Sequence, residues 1–189
     1  TIPHKQAIGP LLADITPLAQ AVGAVNTVWN TPIGWKGTNT DVAGFISPLA
    51  AMKRDWGQTT AVILGNGGAA RAVIAGCHQL GCGEVQVVGR NAAKLAEFKD
   101  SWQDIQLVAN GQNTPTPVTF QTYLWDEIPS LIAIENLLLV NSTPIGMHPD
   151  SDASPISAAT MQQLSDRAIV YDLIYTPSPT KFLQLATDV

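Results

Sequence analysis

Between the apolar run Ala61-Val62-Ile63-Leu64 and a helical stretch from Ala69 to Leu80 lies Gly65-Asn66-Gly67-Gly68-Ala69-Ala70, a G-x-G-x-x-A pattern. That context narrows the choice of fold more than any other stretch of the chain. A strand that turns straight into a helix, followed by a second apolar strand at Glu84 to Val88, is a βαβ unit, and its two strands must run parallel. A parallel sheet needs helices on both faces. The glycines have separate physical duties: Gly65 permits the tight turn, Gly67 lets backbone approach a pyrophosphate, and Ala70 packs helix against strand while the helix N-terminus faces the phosphates. A bare glycine turn is the alternative, and the flanking strand and helix argue against it.

The alternation continues downstream. Residues 92 to 101 read as a helix, 106 to 123 as a weak segment with a short strand at Val118 to Phe120, and Asn110-Gly111 and Pro115-Thr116-Pro117 as loop. Leu137 to Asn141 and Ala168 to Leu173 read as buried strands, with a helix near 157 to 165 between them and another opening at Thr180 to Ala186. The first fifty residues read differently. The spacing predicts the tail of a strand, a helix start at Pro3, then two short helices sharing Leu11, Leu12, Ile15, Leu18, Ala19 and Val22 and broken at Pro17. Val25 to Trp29 alternates as a strand, Thr31 to Gly34 turns, and Trp35-Lys36-Gly37 leads to a helix that begins at Asp41 and is disturbed by Pro48.

Composition removes several classes of function. Ten basic against fifteen acidic residues give a net charge of -5 and a pI near 4.9, which suits neither nucleic acid nor an anionic membrane, since both need clustered cations. A small anionic substrate needs only one or two. Leu137-Leu138-Leu139-Val140 is far shorter than the ~20 residues that span a bilayer. Cys77 and Cys82 suit reduced thiols in a cytosolic chain rather than a disulfide framework. The three histidines, His4, His78 and His148, show no metal-ligand spacing, so no metal is expected; His78 and His148 read as exposed positions.

The end of the second strand carries no carboxylate. A dinucleotide site that selects NAD places an acidic group there for the ribose 2′-hydroxyl, whereas this chain has Gly89-Arg90-Asn91 with Lys94 one turn on. Arg90 can pair with a 2′-phosphate and Lys94 adds charge, which favours NADP. An ordinary solvated arginine is the competing reading.

Further motifs occur in a fixed order: Thr1-Ile2-Pro3-His4-Lys5, Ala24-Val25-Asn26-Thr27, Gly37-Thr38-Asn39-Thr40-Asp41, Asn141-Ser142-Thr143-Pro144-Ile145-Gly146-Met147 and Val170-Tyr171-Asp172-Leu173-Ile174-Tyr175. With the glycine loop they make the chain resemble the shikimate dehydrogenases. The resemblance implies an α/β protein in which a doubly wound, Rossmann-like NADP domain (46–180) is preceded by the C-terminal part of a substrate-binding domain (1–45) and followed by the start of a returning helix (181–189). It implies the reversible NADPH-dependent reduction of 3-dehydroshikimate to shikimate, in aromatic amino-acid biosynthesis. The catalytic pair would be Lys5 and Asp41, with Thr1, Asn26, Thr40 and Tyr175 toward the substrate. Cofactor contacts would come from Gly65, Asn66, Gly67, Gly68, Ala69, Ala70, Arg90, Asn91, Lys94, Asn141, Ser142, Thr143 and Leu173.

Chemistry supports the pair, because reducing a ketone requires a proton donor at the developing alkoxide and the reverse reaction requires a base on the same hydroxyl. Alternatives stay open at single positions: a surface lysine at Lys5, a helix N-cap at Asp41, a turn-forming amide at Asn26. Rival functions are a quinate/shikimate dehydrogenase and a non-catalytic NADP- or ligand-sensing homologue. The expected partners are a small molecule and the cofactor NADP, without nucleic acid or membrane, in a cytoplasmic monomer or homodimer. Relative to the family the chain also reads as an incomplete enzyme, lacking an amino-terminal serine pair and a carboxy-terminal segment with a substrate-binding glutamine.

Overall fold

A computed structural model describes residues 4–109 and 111–189. Thr1, the expected opening strand tail and the helix start at Pro3 lie outside the described residues, as does Asn110. The chain runs β1 (Asp14–Ile15), α1 (Pro17–Val22), β2 (Thr27–Thr31), β3 (Gly34–Thr38), α2 (Asp41–Ala50), β4 (Thr60–Leu64), α3 (Gly68–Leu80), β5 (Glu84–Gly89) and α4 (Ala92–Asp100). It continues through β6 (Gln106–Leu107), β7 (Thr116–Pro117), β8 (Gln121–Leu124), α5 (Ile128–Ile132), β9 (Leu137–Asn141), α6 (Ala158–Met161), β10 (Ile169–Asp172) and α7 (Lys181–Thr187).

The large sheet has the order β10-β9-β4-β5-β8 with all neighbours parallel. Successive strands step outward from β4 through β5 to β8, and the chain then returns to the other side of β4 for β9 and β10. The reversal lies between β4 and β9, where open α/β sheets bind ligands at the carboxyl ends of the strands. The period of two along each strand divides the core. Ala61, Ile63, Val85, Val87, Leu138 and Val140 face α2, α3 and α4. Val62, Leu64, Val88, Leu137 and Leu139 face Ile128, Leu131 and Ile132 of α5, Met161 of α6 and Phe182 of α7. Both faces are covered, which is why these strands read as unbroken apolar runs.

The small sheet, ordered β1-β3-β2, corrects several expectations. Trp35-Lys36-Gly37 is not a lead-in to a helix but the middle of β3, which forms an antiparallel hairpin with β2. The first of the two short helices is only a 3-10 turn at Gly9–Leu11, and Asp14–Ile15 pairs parallel with β3. Pro17 does not interrupt a helix: it occupies the first turn of α1, where its missing N–H costs nothing, behind the N-cap Thr16. Gly37 permits this packing, since a Cβ there would lie 2.5 Å from Leu12 Cδ1 and 2.8 Å from Val25 Cγ1.

Other boundaries shift too. The strand expected at Val118 to Phe120 falls instead at Gln121–Leu124, while Val118 and Phe120 are buried in the core from irregular backbone. Thr116–Pro117, expected as loop, pairs with β6. Helix α5, at five residues, is too short to show a period in the sequence, and α6 is four residues long rather than filling the stretch near 157 to 165. Pro48 does not end α2, because burial of Val42, Phe45 and Leu49 holds the helix to Ala50. Cys77 and Cys82 are free thiols, and Cys77 is held above its ordinary range by its contact with Cys82 and by burial. His78 is half-buried rather than exposed, its Nε2 lying 3.0 Å from the Leu107 carbonyl and 3.1 Å from Thr116 Oγ1. Among the described residues no helix is long and apolar enough to cross a membrane, and no cluster of His, Cys, Asp and Glu could hold a metal.

Candidate active site

Lys5 and Asp41, 36 positions apart, meet. Two backbone arrangements bring them together. The Val25 N–H donates to the Lys5 carbonyl at 2.7 Å, laying the Lys5 segment along the chain that enters β2. Asp41 opens α2, but it is not the cap: buried Asn39 accepts from the N–H groups of Asp41 (2.9 Å) and Val42 (3.3 Å) and donates to the Ala24 carbonyl at 3.0 Å. With Asn39 serving the helix end, the Asp41 carboxylate is free for other partners.

One carboxylate oxygen accepts from Lys5 Nζ at 2.6 Å and the other from Asn26 Nδ2 at 2.6 Å. Short charge-assisted contacts of this kind fix orientation. The Asn26 carbonyl oxygen accepts from the Thr40 N–H at 3.0 Å and from Thr27 Oγ1 at 3.0 Å, so the amide spans β2 and the start of α2. Thr40 Oγ1 lies within reach of Asn26 and Thr27. An ammonium has three donors and Asp41 takes one. The lysine side chain is 18% exposed and the aspartate 34%, so the pair is only partly shielded from solvent. His4 is exposed at the entrance to this segment, with its carbonyl accepting from Ala7 and Ile8.

The glycine loop stands directly beside this cluster. A Cβ at Gly68 would lie 3.8 Å from Lys5 Cβ, so the segment bearing the lysine rests against the first turn of α3. Gly65 has φ +103°, a conformation side chains disfavour, and a Cβ there would also lie 2.9 Å from Thr143 Cγ2 and 3.0 Å from Ser142 Oγ. Gly67 is the N-cap of α3 with no side-chain cap, and among the described residues a Cβ on it would meet nothing within 4 Å. The N–H groups of Gly68, Ala69 and Ala70 are the first of α3 and have no acceptor within the helix, as an anion cradle requires. This fits a dinucleotide pyrophosphate.

At the end of β5, Gly89 allows close packing, since a Cβ there would lie 2.8 Å from Leu95 Cδ2. Arg90 then projects as an exposed residue, with Lys94 exposed on α4. Among the described residues no carboxylate pairs with either. Asn91 caps α4 by accepting from the Lys94 N–H at 3.0 Å, and Asn66 Nδ2 donates to the Lys94 carbonyl at 3.4 Å. The two asparagine side chains thus shape the loop from within it.

Asn141 has the same character. It is fully buried, donates to Ile145 O and Asp172 Oδ1, and accepts from the N–H and hydroxyl of Thr143. Ser142 N and Oγ both donate to the Leu64 carbonyl, at 3.0 and 2.7 Å, fastening this loop to the end of β4. Asp172 was not singled out in the sequence, yet it is the hub: Oδ1 takes Asn141 and the Ile174 N–H, and Oδ2 takes Thr180 Oγ1 at 2.6 Å. Thr180 is in turn the N-cap of α7. Leu173 is half-buried just past the end of β10, and Tyr175 is 84% exposed and makes no hydrogen bond among the described residues. Thr1 lies outside the described residues. Leu124, at the end of β8 and paired in register with Gly89, is an exposed apolar residue on the same edge that sequence periodicity left unmarked.

No known protein-family model matches the chain. Individual proteins do. Over 187 residues, 98% of the chain, it is 56% identical to the NADP(+) shikimate dehydrogenase of Trichormus variabilis and covers 61% of that protein. Among solved structures it is similar to the shikimate 5-dehydrogenase of Thermus thermophilus in complex with NADP(H) and shikimate, at a TM-score of 0.75 and 29% identity. The alignment covers all of this chain and 62% of that one. The quinate dehydrogenase of Corynebacterium glutamicum in complex with NAD is comparably close, at a TM-score of 0.78 and 28% identity, with 62% of it covered. The chain spans about three fifths of the length of the relatives it matches.

Proposed function

We propose that this chain, which belongs to the shikimate dehydrogenase family, carries the cofactor domain and the proton-transfer pair of an enzyme that reversibly reduces 3-dehydroshikimate to shikimate with NADPH. The observation that carries this reading is the juxtaposition of the Lys5–Asp41 pair with the mouth of the glycine loop. Residues 1–45 belong to the substrate side, 46–180 to the cofactor domain, and 181–189 to a returning helix. The division runs through α2, whose first turn holds Asp41 and whose apolar face lies in the common core. Two free cysteines agree with a cytoplasmic protein.

Bound NADPH supplies a hydride to the carbonyl carbon. The N–H groups at the start of α3 would hold its pyrophosphate, Arg90 and Lys94 would receive the 2′-phosphate, and Asn141, Ser142, Thr143 and Leu173 would contribute the remaining cofactor contacts. Lys5 in its ammonium form donates a proton to the carbonyl oxygen as negative charge develops there. In the oxidative direction the neutral amine takes the proton from the hydroxyl. Asp41 orients the ammonium and offsets its charge, and Asn26 holds the second carboxylate oxygen so that the pair keeps one geometry. Asn26, Thr40, Tyr175 and Thr1 would meet the substrate's hydroxyls and carboxylate.

The test uses the protein at the length of its relatives, assayed with shikimate and with quinate, each with NADP+ and NAD+. Turnover is expected with shikimate and NADP+, and Lys5→Met should lower it by about 100- to 10,000-fold while leaving NADP+ affinity nearly unchanged. Near-normal turnover in that variant would remove Lys5 from the mechanism. A preference for quinate with NAD+ would favour the rival dehydrogenase.

A further inference from the structure

Arg71 is the strongest feature that the proposed mechanism leaves unused. It is a buried cation, 6% exposed, in the first turn of α3, and no carboxylate pairs with it among the described residues. Burial pushes the guanidinium below its ordinary value. Such a group is costly to bury, so its contacts need an explanation.

The guanidinium lies 4.8 Å from the centroid of the Trp102 ring and 5.6 Å from that of Phe98, and Nη1 donates to Ser101 Oγ at 2.7 Å. These contacts seat its far end on α4. Nε donates to the carbonyl of Val22, the last residue of α1. The chain then turns at Gly23, φ +66°, where an added Cβ would lie 3.0 Å from Arg71 Nη2. The turn therefore closes over the guanidinium.

Everything that positions the proton-transfer pair follows within four residues of that contact. The Ala24 carbonyl accepts from Asn39, the residue that caps the helix bearing Asp41. The Val25 N–H holds the Lys5 carbonyl. Asn26 holds the Asp41 carboxylate. The backbone N–H of Arg71 points the other way, to the Gly67 carbonyl of the phosphate loop at 3.4 Å. One residue thus touches the cradle through its main chain and the support of the catalytic pair through its side chain.

We infer that Arg71 is a positioning residue that sets the Lys5–Asp41 pair at a fixed place relative to the phosphate loop, by tethering the turn at Val22–Gly23. It touches neither substrate nor cofactor, and acts through residues 22–26. The inference rests on the functional reading above. A merely structural role would instead lower the amount of folded enzyme, or weaken cofactor binding and turnover together.

The experiment uses the full-length enzyme with Arg71→Met, which fills the aromatic cage but cannot donate to Val22, and Gly23→Ala, which presses on the guanidinium from the opposite side. Turnover per NADP+-binding site, at saturating shikimate, is expected to fall at least tenfold in Arg71→Met, with the NADP+ dissociation constant within about twofold of the parent. Amide hydrogen exchange of residues 22 to 26 should accelerate. The double variant should be no slower than the slower single one, because both act on one contact. Turnover per site within twofold of the parent, parallel loss of NADP+ affinity, or multiplying effects of the two substitutions would each overturn the assignment. Should Arg71→Met fail to fold, Arg71→Lys serves, since an ammonium cannot reach Val22 and Ser101 at once. A parent with no shikimate activity would sink the substrate assignment instead, and the tether would then stand or fall on the exchange of residues 22 to 26.

Discussion

At the scale of single residues the site divides into side chains that offer atoms to a ligand and side chains that hold those in place. Among the described residues Arg90 and Lys94 have no carboxylate partner and Lys5 pairs with Asp41 alone, whereas Asn39, Asn91, Asn141 and Asp172 use their side-chain polar atoms on the protein's own backbone and side chains. Arg90 belongs to the first group, exposed at the end of β5 with no acidic neighbour across the ladder. Removing a charged hydrogen-bonding contact costs roughly 1.5 to 3 kcal/mol, so Arg90→Ala should weaken NADP+ binding by that much and barely alter NAD+. Dissociation constants for the two cofactors decide it, and equal losses would show that Arg90 does not read the 2′-phosphate. If Asp41 presents the ammonium as proposed, Lys5 and Asp41 should behave as a unit. The Lys5→Met, Asp41→Asn double variant is expected to turn over no more slowly than Lys5→Met alone, and multiplicative losses would mean that Asp41 has an independent role. The pairing itself was not legible from spacing, since nothing local links positions 5 and 41. What was legible was the chemistry each residue type can perform.

At the scale of elements, legibility followed length and burial. The strands β4, β5, β9 and β10 and the helices α3 and α4 are read from sequence nearly to their ends, because a buried parallel strand is an apolar run and a helix of nine residues or more shows its period. The hairpin β2–β3 was half-read. Trp29 and Trp35 are exposed and Gly34 and Gly37 occupy β3, so the usual alternation of buried and open positions is lost there. Gly76 is another case where a contact, invisible in the sequence, governs an element. It lies where α3 meets α2, and a Cβ on it would fall 2.5 Å from Phe45 Cδ1 and 3.0 Å from Cε1. Phe45 is fully buried and its ring stacks edge-on against Tyr171 at 5.3 Å, which leaves it little room to yield. Gly76→Ala should therefore destabilise the protein by about 1 to 3 kcal/mol through overpacking, despite the better helix propensity of alanine. Chemical denaturation measures this as a lower midpoint at unchanged slope. An unchanged or higher midpoint would mean that α2 can move away from α3 at no cost, and Asp41 with it.

At the scale of the whole molecule, the question is whether the small sheet and the large one unfold together. Val22 at the end of α1, Ala24 just beyond it, and Val42, Phe45 and Leu49 of α2 belong to the same packed cluster as Ala61, Ile63 and Val87 of the large sheet. Arg71 adds a polar tie between α1 and α3 within that cluster. A shared core of this kind predicts one cooperative transition rather than two. The tryptophans report on both parts: Trp102 is buried against Phe98 and Phe120 beside α4, while Trp29 and Trp35 lie on the exposed hairpin. Variants retaining only Trp102, or only the hairpin pair, should show the same midpoint by fluorescence, coincident with loss of helix by circular dichroism. Added NADP+ at about one hundred times its dissociation constant should stabilise both signals by roughly 2.7 kcal/mol, as mass action requires of a ligand that binds only the native state. A hairpin signal that melts earlier and ignores NADP+ would show that the substrate side is tied to the cofactor domain too weakly for its catalytic pair to be positioned from the phosphate loop.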